Sequence, residues 1–156
     1  STDQLAPSNG TNASLPAFLA KVSANVANVT GDGTNYHIIY DTVIFDQASN
    51  YNNSTGVFTA PITGKYQINA QVNFVNVNPT LIVRGQSQLV ATSRTMTNNY
   101  MNLSLVSHAD NQVSFSYSTL LDMSANDTVY VTMYAQGGSK DVYAGPEMYF
   151  SGYLIC

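Results

Sequence analysis

Residues 51–66 read YNNSTGVFTAPITGKY, and this stretch is the most informative one about the fold. Gly56 belongs to a tight turn, and Phe58 is a candidate for the core. Pro61 must end a short strand, because proline cannot donate to a β-ladder. Gly64 permits the next turn into a longer strand. The stretch therefore predicts two strands joined by turns.

The strand that follows is the clearest in the chain. Apolar and polar residues alternate almost perfectly over residues 65–74. Such a period of two is typical of a strand with one buried face and one wet face. The predicted buried face consists of Tyr66, Ile68, Ala70, Val72 and Phe74.

Further segments repeat this pattern, and turn residues separate them. No segment has a helical period with a credible cap. Many strands punctuated by turns predict an all-β sandwich or jelly roll. The predicted apolar rows are Met101, Leu103 and Leu105; Val113, Phe115 and Tyr117; and Val129, Val131 and Met133.

The C-terminal segment EMYFSGYLIC is apolar on both of its faces. Met148, Phe150 and Leu154 share one face of the predicted strand, whereas Tyr149 and Tyr153 share the other. A strand that is apolar on both faces must be covered on both. In a two-layer sandwich the second face needs a neighbouring subunit or a covering loop, so the segment predicts oligomerisation.

The composition indicates where the protein acts. Hydrophobic residues make up 44 % of the 156 residues, but charged residues only 9 %, and 17 Asn, 16 Ser and 15 Thr take their place. Such a surface favours an extracellular, cell-surface or virion-surface protein. The net charge is −4, and the five basic residues are scattered, which argues against nucleic-acid binding. No apolar run is long enough for membrane insertion.

Residues 1–16 are predicted to be a flexible leader or linker, because most of this polar stretch has no apolar period. Residues 17–156 are predicted to be one domain. Cys156 is the single cysteine, so no internal disulfide can stabilise the fold. A free terminal thiol is the preferred interpretation, and an intermolecular disulfide is the alternative.

Three blocks together resemble the globular C1q domain of the C1q/tumour-necrosis-factor family. The first block is residues 51–66. The second is residues 120–131, LLDMSANDTVYV, where Asn126 replaces the usual glycine. The third is residues 150–155, FSGYLI. The residues of the first block that match are Tyr51, Thr55, Gly56, Phe58, Thr59, Ala60, Pro61, Gly64 and Tyr66.

The resemblance covers about residues 17–155 and implies a ten-stranded jelly roll that forms a homotrimer. It also implies which residues build the family's core and subunit contacts. Residues 79–100 match no family block, so the resemblance does not identify a ligand. The implied core and trimer residues are Gly56, Phe58, Pro61, Gly64, Tyr66, Tyr149, Phe150, Gly152 and Tyr153.

No catalytic constellation is visible, and we expect the protein not to be an enzyme. Asp41 and Asp46 have opposite parity on their predicted strand, so they would not form the facing carboxylate pair of a glycosidase. The sequence contains no G-x-S-x-G motif. His37 and His108 stand alone, without the spacing of a zinc site. No cofactor is predicted.

Two weaker sets of site candidates remain. Some domains of this family bind calcium, and four aspartates lie in or near predicted loops: Asp110, Asp122, Asp127 and Asp141. Solvated turn residues are the preferred interpretation of these four, because no D-x-D-x-D spacing occurs. The candidate ligand contacts are tyrosines that lie among Asn, Ser and Thr in predicted loops, namely Tyr51, Tyr100 and Tyr143.

The sequence thus predicts a non-enzymatic, trimeric recognition or adhesion domain. Its expected partners are its own copies and a cell-surface glycan or protein. The alternative is a structural trimerisation or capping domain of a virion fibre, a spore surface or an extracellular matrix protein.

Overall fold

The computed structural model describes residues 15–105 and 110–156, without the side chains of residues 98–100. Most of the predicted leader, residues 1–14, lies outside the described residues, so its flexibility stays a prediction. Tyr100 lies on a strand, but its side chain also falls outside the description.

The described ranges form thirteen strand segments and one 3-10 turn at Leu103–Leu105, with no α-helix. The strands are β1 (Ala17–Lys21), β2 (Val26–Thr30), β3 (Asn35–His37), β4 (Thr42–Gln47), β5 (Tyr51–Asn52), β6 (Val57–Thr59), β7 (Gly64–Val75), β8 (Arg84–Ala91), β9 (Thr95–Met101), β10 (Val113–Met123), β11 (Thr128–Gln136), β12 (Val142–Ala144) and β13 (Tyr149–Leu154).

These strands form two antiparallel sheets. The first sheet has the order β2-β12-β7-β13-β1-β4, and β10 pairs with the opposite edge of β7. The second sheet has the order β5-β6-β11-β8-β9, and β3 also pairs with β11. Neighbours in each sheet are mostly distant in the chain, as in a jelly roll, so the predicted fold is confirmed. The segments outnumber the ten expected strands because several span only two or three residues.

The period-two predictions for β7 and β11 are confirmed. All five predicted inward residues of β7 are buried, as are Val129, Val131 and Met133 of β11. Because alternate side chains point to opposite faces, each sheet turns its apolar row towards the other sheet. The core lies between these rows.

Phe18 occupies the centre of this core and connects the signature region with the C-terminal strand. Its ring stacks on Tyr51 at 4.9 Å and on Phe58 at 4.7 Å between centroids. It meets Phe150 edge-on at 4.9 Å. Phe58 and Phe150 are fully buried, as the family resemblance implied. Two of the three sequence blocks therefore meet in one aromatic cluster.

Two local predictions need correction. The row Met101, Leu103, Leu105 is not a strand face, because β9 ends at Met101 and the chain then forms the 3-10 turn. Leu103 is buried against β8, whereas Leu105 is exposed. Gly64 begins β7 and does not have the positive φ that would require glycine. It must be small, because a Cβ there would lie 2.6 Å from the carbonyl oxygen of Cys156.

Candidate assembly face and recognition surfaces

The C-terminal strand β13 presents two different faces. Phe150 and Gly152 point into the core and are buried. Tyr149 and Tyr153 point outwards and expose 41 % and 48 % of their surface. The sequence predicted that both faces need cover. Within the described chain the core covers the inner face, whereas no other strand covers the outer one.

The strands beside β13 extend this outward surface. Tyr153 pairs with Gln67 of β7, which pairs in turn with Leu120 of β10. Leu120 is 58 % exposed, although leucine normally lies inside. We call this outer surface of the first sheet the assembly face; it comprises Gln67, Asn69, Leu120, Tyr149, Ser151 and Tyr153.

Hydrogen bonds hold the amides of the assembly face in place. Gln67 Nε2 donates to Ser118 Oγ at 2.6 Å and to the carbonyl oxygen of Thr119 at 3.2 Å. Asn69 Nδ2 donates to Ser151 Oγ at 3.3 Å. Beside them lies an open cleft of about 450 Å³, lined in part by Tyr149 and Ser116. The six side chains of the assembly face are uncharged, and its amides are ordered before any partner arrives, while Lys21 lies beside Tyr149 on the same side of the sheet.

The signature turn forms as the sequence predicts. Gly56 has a φ of 73°, and its N–H donates to the carbonyl oxygen of Asn52 at 2.8 Å. A Cβ on Gly56 would come within 2.5 Å of the Ile38 carbonyl oxygen. Asn126 has a φ of 74° in the second block, where the family usually has glycine. Its replacement of glycine is mild because Asn tolerates the left-handed conformation.

The prediction that Tyr51 lies in an exposed loop is wrong. Tyr51 is 7 % exposed, and its hydroxyl donates to the carbonyl oxygen of Tyr40 at 3.0 Å. Tyr143 is not a loop residue either, because it lies on β12, where it is half-buried. Tyr100 lies on β9. The loops of the described chain therefore do not carry these tyrosines.

The four candidate calcium ligands form no common cluster. Asp122 is the penultimate residue of β10 and pairs with Arg94, whereas Asp127 accepts a hydrogen bond from the Ser124 N–H at 2.9 Å. Both line one cleft of about 500 Å³, together with Lys65 and Cys156. Asp110 and Asp141 lie towards the other end of β10, where the Val77 N–H donates to the carbonyl oxygen of Asn111 and Asn76 Nδ2 donates to that of Asp141.

Within residues 15–105 and 110–156, no three His, Cys, Asp or Glu side chains are grouped to hold a metal ion. Calcium takes six to eight oxygen ligands, of which Asp122 and Asp127 would supply only some. The described aspartates are thus not grouped as a set of metal ligands.

Comparison with known proteins identifies the family. The family model of the C1q domain matches residues 17–155. The chain belongs to the C1q domain family. Domains of the C1q and tumour-necrosis-factor type form trimers that bind ligands or receptors, and they are generally non-enzymatic. Members of the family are typically secreted or extracellular.

Solved structures support the same fold. The globular domain of zebrafish complement 1qA matches with a TM-score of 0.61 at 17 % identity, covering 91 % of this chain and 98 % of that one. Murine APRIL at pH 5.0 matches with a TM-score of 0.56 at 10 % identity, covering 90 % and 99 %. A search of curated proteins found no significant match. In the described part of the chain, no helix could cross a membrane.

Proposed function

We propose that this C1q domain forms a homotrimer through the assembly face and acts outside the cell as a recognition or adhesion domain. The observation that carries the proposal is the outward exposure of Tyr149, Tyr153 and Leu120 on the ordered assembly face, none of whose six residues is charged. Aromatic residues are enriched in protein interfaces, and charged residues are depleted from interface cores. A second copy of the chain supplies the cover that β13 lacks.

A trimer presents three identical surfaces to a repeated ligand, such as a cell-surface glycan or protein. Linking weak sites raises overall avidity by roughly 10²–10⁴ without any new contact. The low charge and the many amides and hydroxyls of this chain suit a surface that binds neutral or weakly charged groups.

Light scattering tests the assembly. The wild-type domain is expected to have three times the mass of one chain at micromolar concentration. Tyr153→Asp places a carboxylate at the centre of the assembly face and is expected to yield a monomer. Gln136→Asp adds the same charge at an exposed position on the second sheet, so it should stay trimeric. A monomeric wild type, or equal masses for the two variants, would contradict the proposal.

A glycan array tests recognition. The trimer should bind at least one surface glycan more tightly than the Tyr153→Asp monomer, because only the trimer gains avidity. Equal binding by the two forms would remove the avidity argument. A trimer that binds neither glycans nor cell surfaces would instead favour the structural trimerisation role.

A further inference from the structure

The outer surface of the second sheet differs in composition from the assembly face. Alternation along β11 sends Val131 and Met133 into the core and turns Thr132 outwards between two tyrosines. Across the ladder, Gln88 pairs with Thr132. We call this surface the amide–tyrosine face; it comprises Arg84, Gln86, Gln88, Tyr130, Thr132 and Tyr134.

Contacts between neighbours order the aromatic groups of this face. The Arg84 guanidinium carbon lies 5.5 Å from the centre of the Tyr134 ring. The His37 ring stacks on Tyr130 at 4.2 Å between centroids, with 18° between the planes. The two tyrosines are four residues apart on one strand, which separates them by about 13 Å. Ordered side chains lose less entropy when a ligand binds.

The amides of the face are also oriented. Gln88 Nε2 donates to Thr97 Oγ1 at 2.9 Å. Arg84 Nη2 donates to Gln86 Oε1 at 3.3 Å. Amide and hydroxyl groups beside tyrosine rings are the groups that recognise sugars through hydrogen bonds and ring packing.

One hydroxyl at the centre of the face has no hydrogen-bond partner. Thr132 is 4 % exposed, and its Oγ1 is unpartnered in the described chain. Its cross-strand neighbours are Gln88 on β8 and His37 on β3. Buried polar groups normally have a partner. The described chain therefore leaves the Thr132 hydroxyl unsatisfied.

The amide–tyrosine face includes no acidic residue, although the protein has a net charge of −4. The protein carries nine Asp and Glu residues, yet none lies on a strand of the second sheet. Burial lowers the pKa of His37, so Arg84 is the cation that the face keeps at neutral pH. Asp32 lies in the loop near the Tyr134 hydroxyl, and its carboxylate accepts a hydrogen bond from the Thr34 N–H at 3.0 Å.

We propose that the amide–tyrosine face binds an oligosaccharide that carries one carboxylate. Arg84 pairs with the carboxylate, and the tyrosines and amides contact the sugar rings and hydroxyls. This inference rests on the recognition function proposed above and gives it a location and a ligand class. A single arginine suits a single negative charge, whereas a polyanion needs a row of cations. Guanidinium is also the side-chain group that best matches carboxylate geometry.

Isothermal titration tests this with three probes: 3′-sialyllactose, a disaccharide ending in glucuronic acid, and neutral lactose. At least one acidic probe is expected to bind tenfold or more tightly than lactose, and the two acidic probes distinguish sialic from uronic acids. Arg84→Gln is expected to weaken that binding at least tenfold. Arg94→Gln is the matched control, because it removes the same charge from an exposed residue paired with Asp122.

If the Arg84→Gln variant does not fold, Arg84→Lys is measured instead, because it keeps the positive charge but lacks the planar guanidinium group. It is expected to weaken binding severalfold. The inference is overturned if neither acidic probe binds, if lactose binds as well as they do, or if Arg84 variants that fold bind like the wild type. A trimer in light scattering that binds only neutral glycans would overturn this inference and leave the recognition function intact.

Discussion

Gly152 lies against Phe18 so closely that a methyl group does not fit between them. A Cβ on Gly152 would come within 2.9 Å of a Phe18 ring carbon and 2.6 Å of Ile68 Cδ1. Phe18 is itself the centre of the aromatic core. The glycine of the closing block therefore permits β13 to pack, and it lies on the inner side of the strand, opposite the assembly face.

Substitution at Gly152 should therefore act on folding. Gly152→Ala overpacks the core and is expected to lower the free energy of unfolding by about 1–3 kcal/mol in urea denaturation. Gly152→Glu would bury an unpaired carboxylate and should give no folded protein. Ser151→Ala, on the outward side of the same strand, should change stability by less than about 1 kcal/mol. Equal stability of the two alanine variants would refute this account.

Stability should fall at high pH because of the buried tyrosines. Burial raises the pKa of Tyr51, Tyr40 and Tyr117 above the ordinary value. The unfolded chain loses these protons above pH ~10, whereas the folded chain keeps them. The contribution of these tyrosines to the free energy of unfolding is thus complete below pH ~10. Above that pH it decreases by at most about 1.4 kcal/mol per pH unit for each tyrosine.

Denaturation curves at pH 8 and pH 11 measure this effect. Tyr51→Phe should lose about 1 kcal/mol at pH 8, because it removes the hydrogen bond to the Tyr40 carbonyl oxygen. It should also depend less on pH than the wild type. The same pH dependence in both proteins would show that Tyr51 does not titrate as its burial requires.

Replacing Asn126 by glycine should not harm the protein. Its φ of 74° costs an L-residue energy that glycine does not incur. Asn126→Gly is therefore expected to be neutral or to stabilise the fold by roughly 0.3 kcal/mol. Asn126→Ala should destabilise it by about 1–2 kcal/mol. Thermal melts of both variants decide this, and a stable Ala variant would contradict the conformational explanation.

Removing calcium should leave the domain unchanged. Asp122 and Asp127 already contact Arg94 and the Ser124 N–H, and the four candidate aspartates are split between the two ends of β10. A melt with and without EDTA is expected to give the same midpoint. A midpoint that falls with EDTA and recovers with added calcium would favour the calcium alternative over solvated turn residues and would locate ligands beyond these side chains.

The sequence by itself determined the family and most of the layer structure. Residues 51–66 and 150–155 require particular backbone geometry and close packing, as at Gly56 and Gly152. These requirements restrict the residue types at particular positions, so local sequence motifs reveal them. The alternation in β7 and β11 determined which side chains are buried, because strand geometry leaves each residue only two directions. The prediction failed at residues 101–105, where the row continued in sequence but the backbone turned.

Only the tertiary structure decided which surfaces are available for binding. Tyr51 sits among polar residues in sequence, yet it packs on Phe18, because contacts between distant strands are not encoded in local composition. The same holds for the amide–tyrosine face, where Arg84 and Tyr134 meet only because β8 pairs with β11 in one register. Local patterns determine what each strand buries, whereas strand register determines which outward side chains become neighbours.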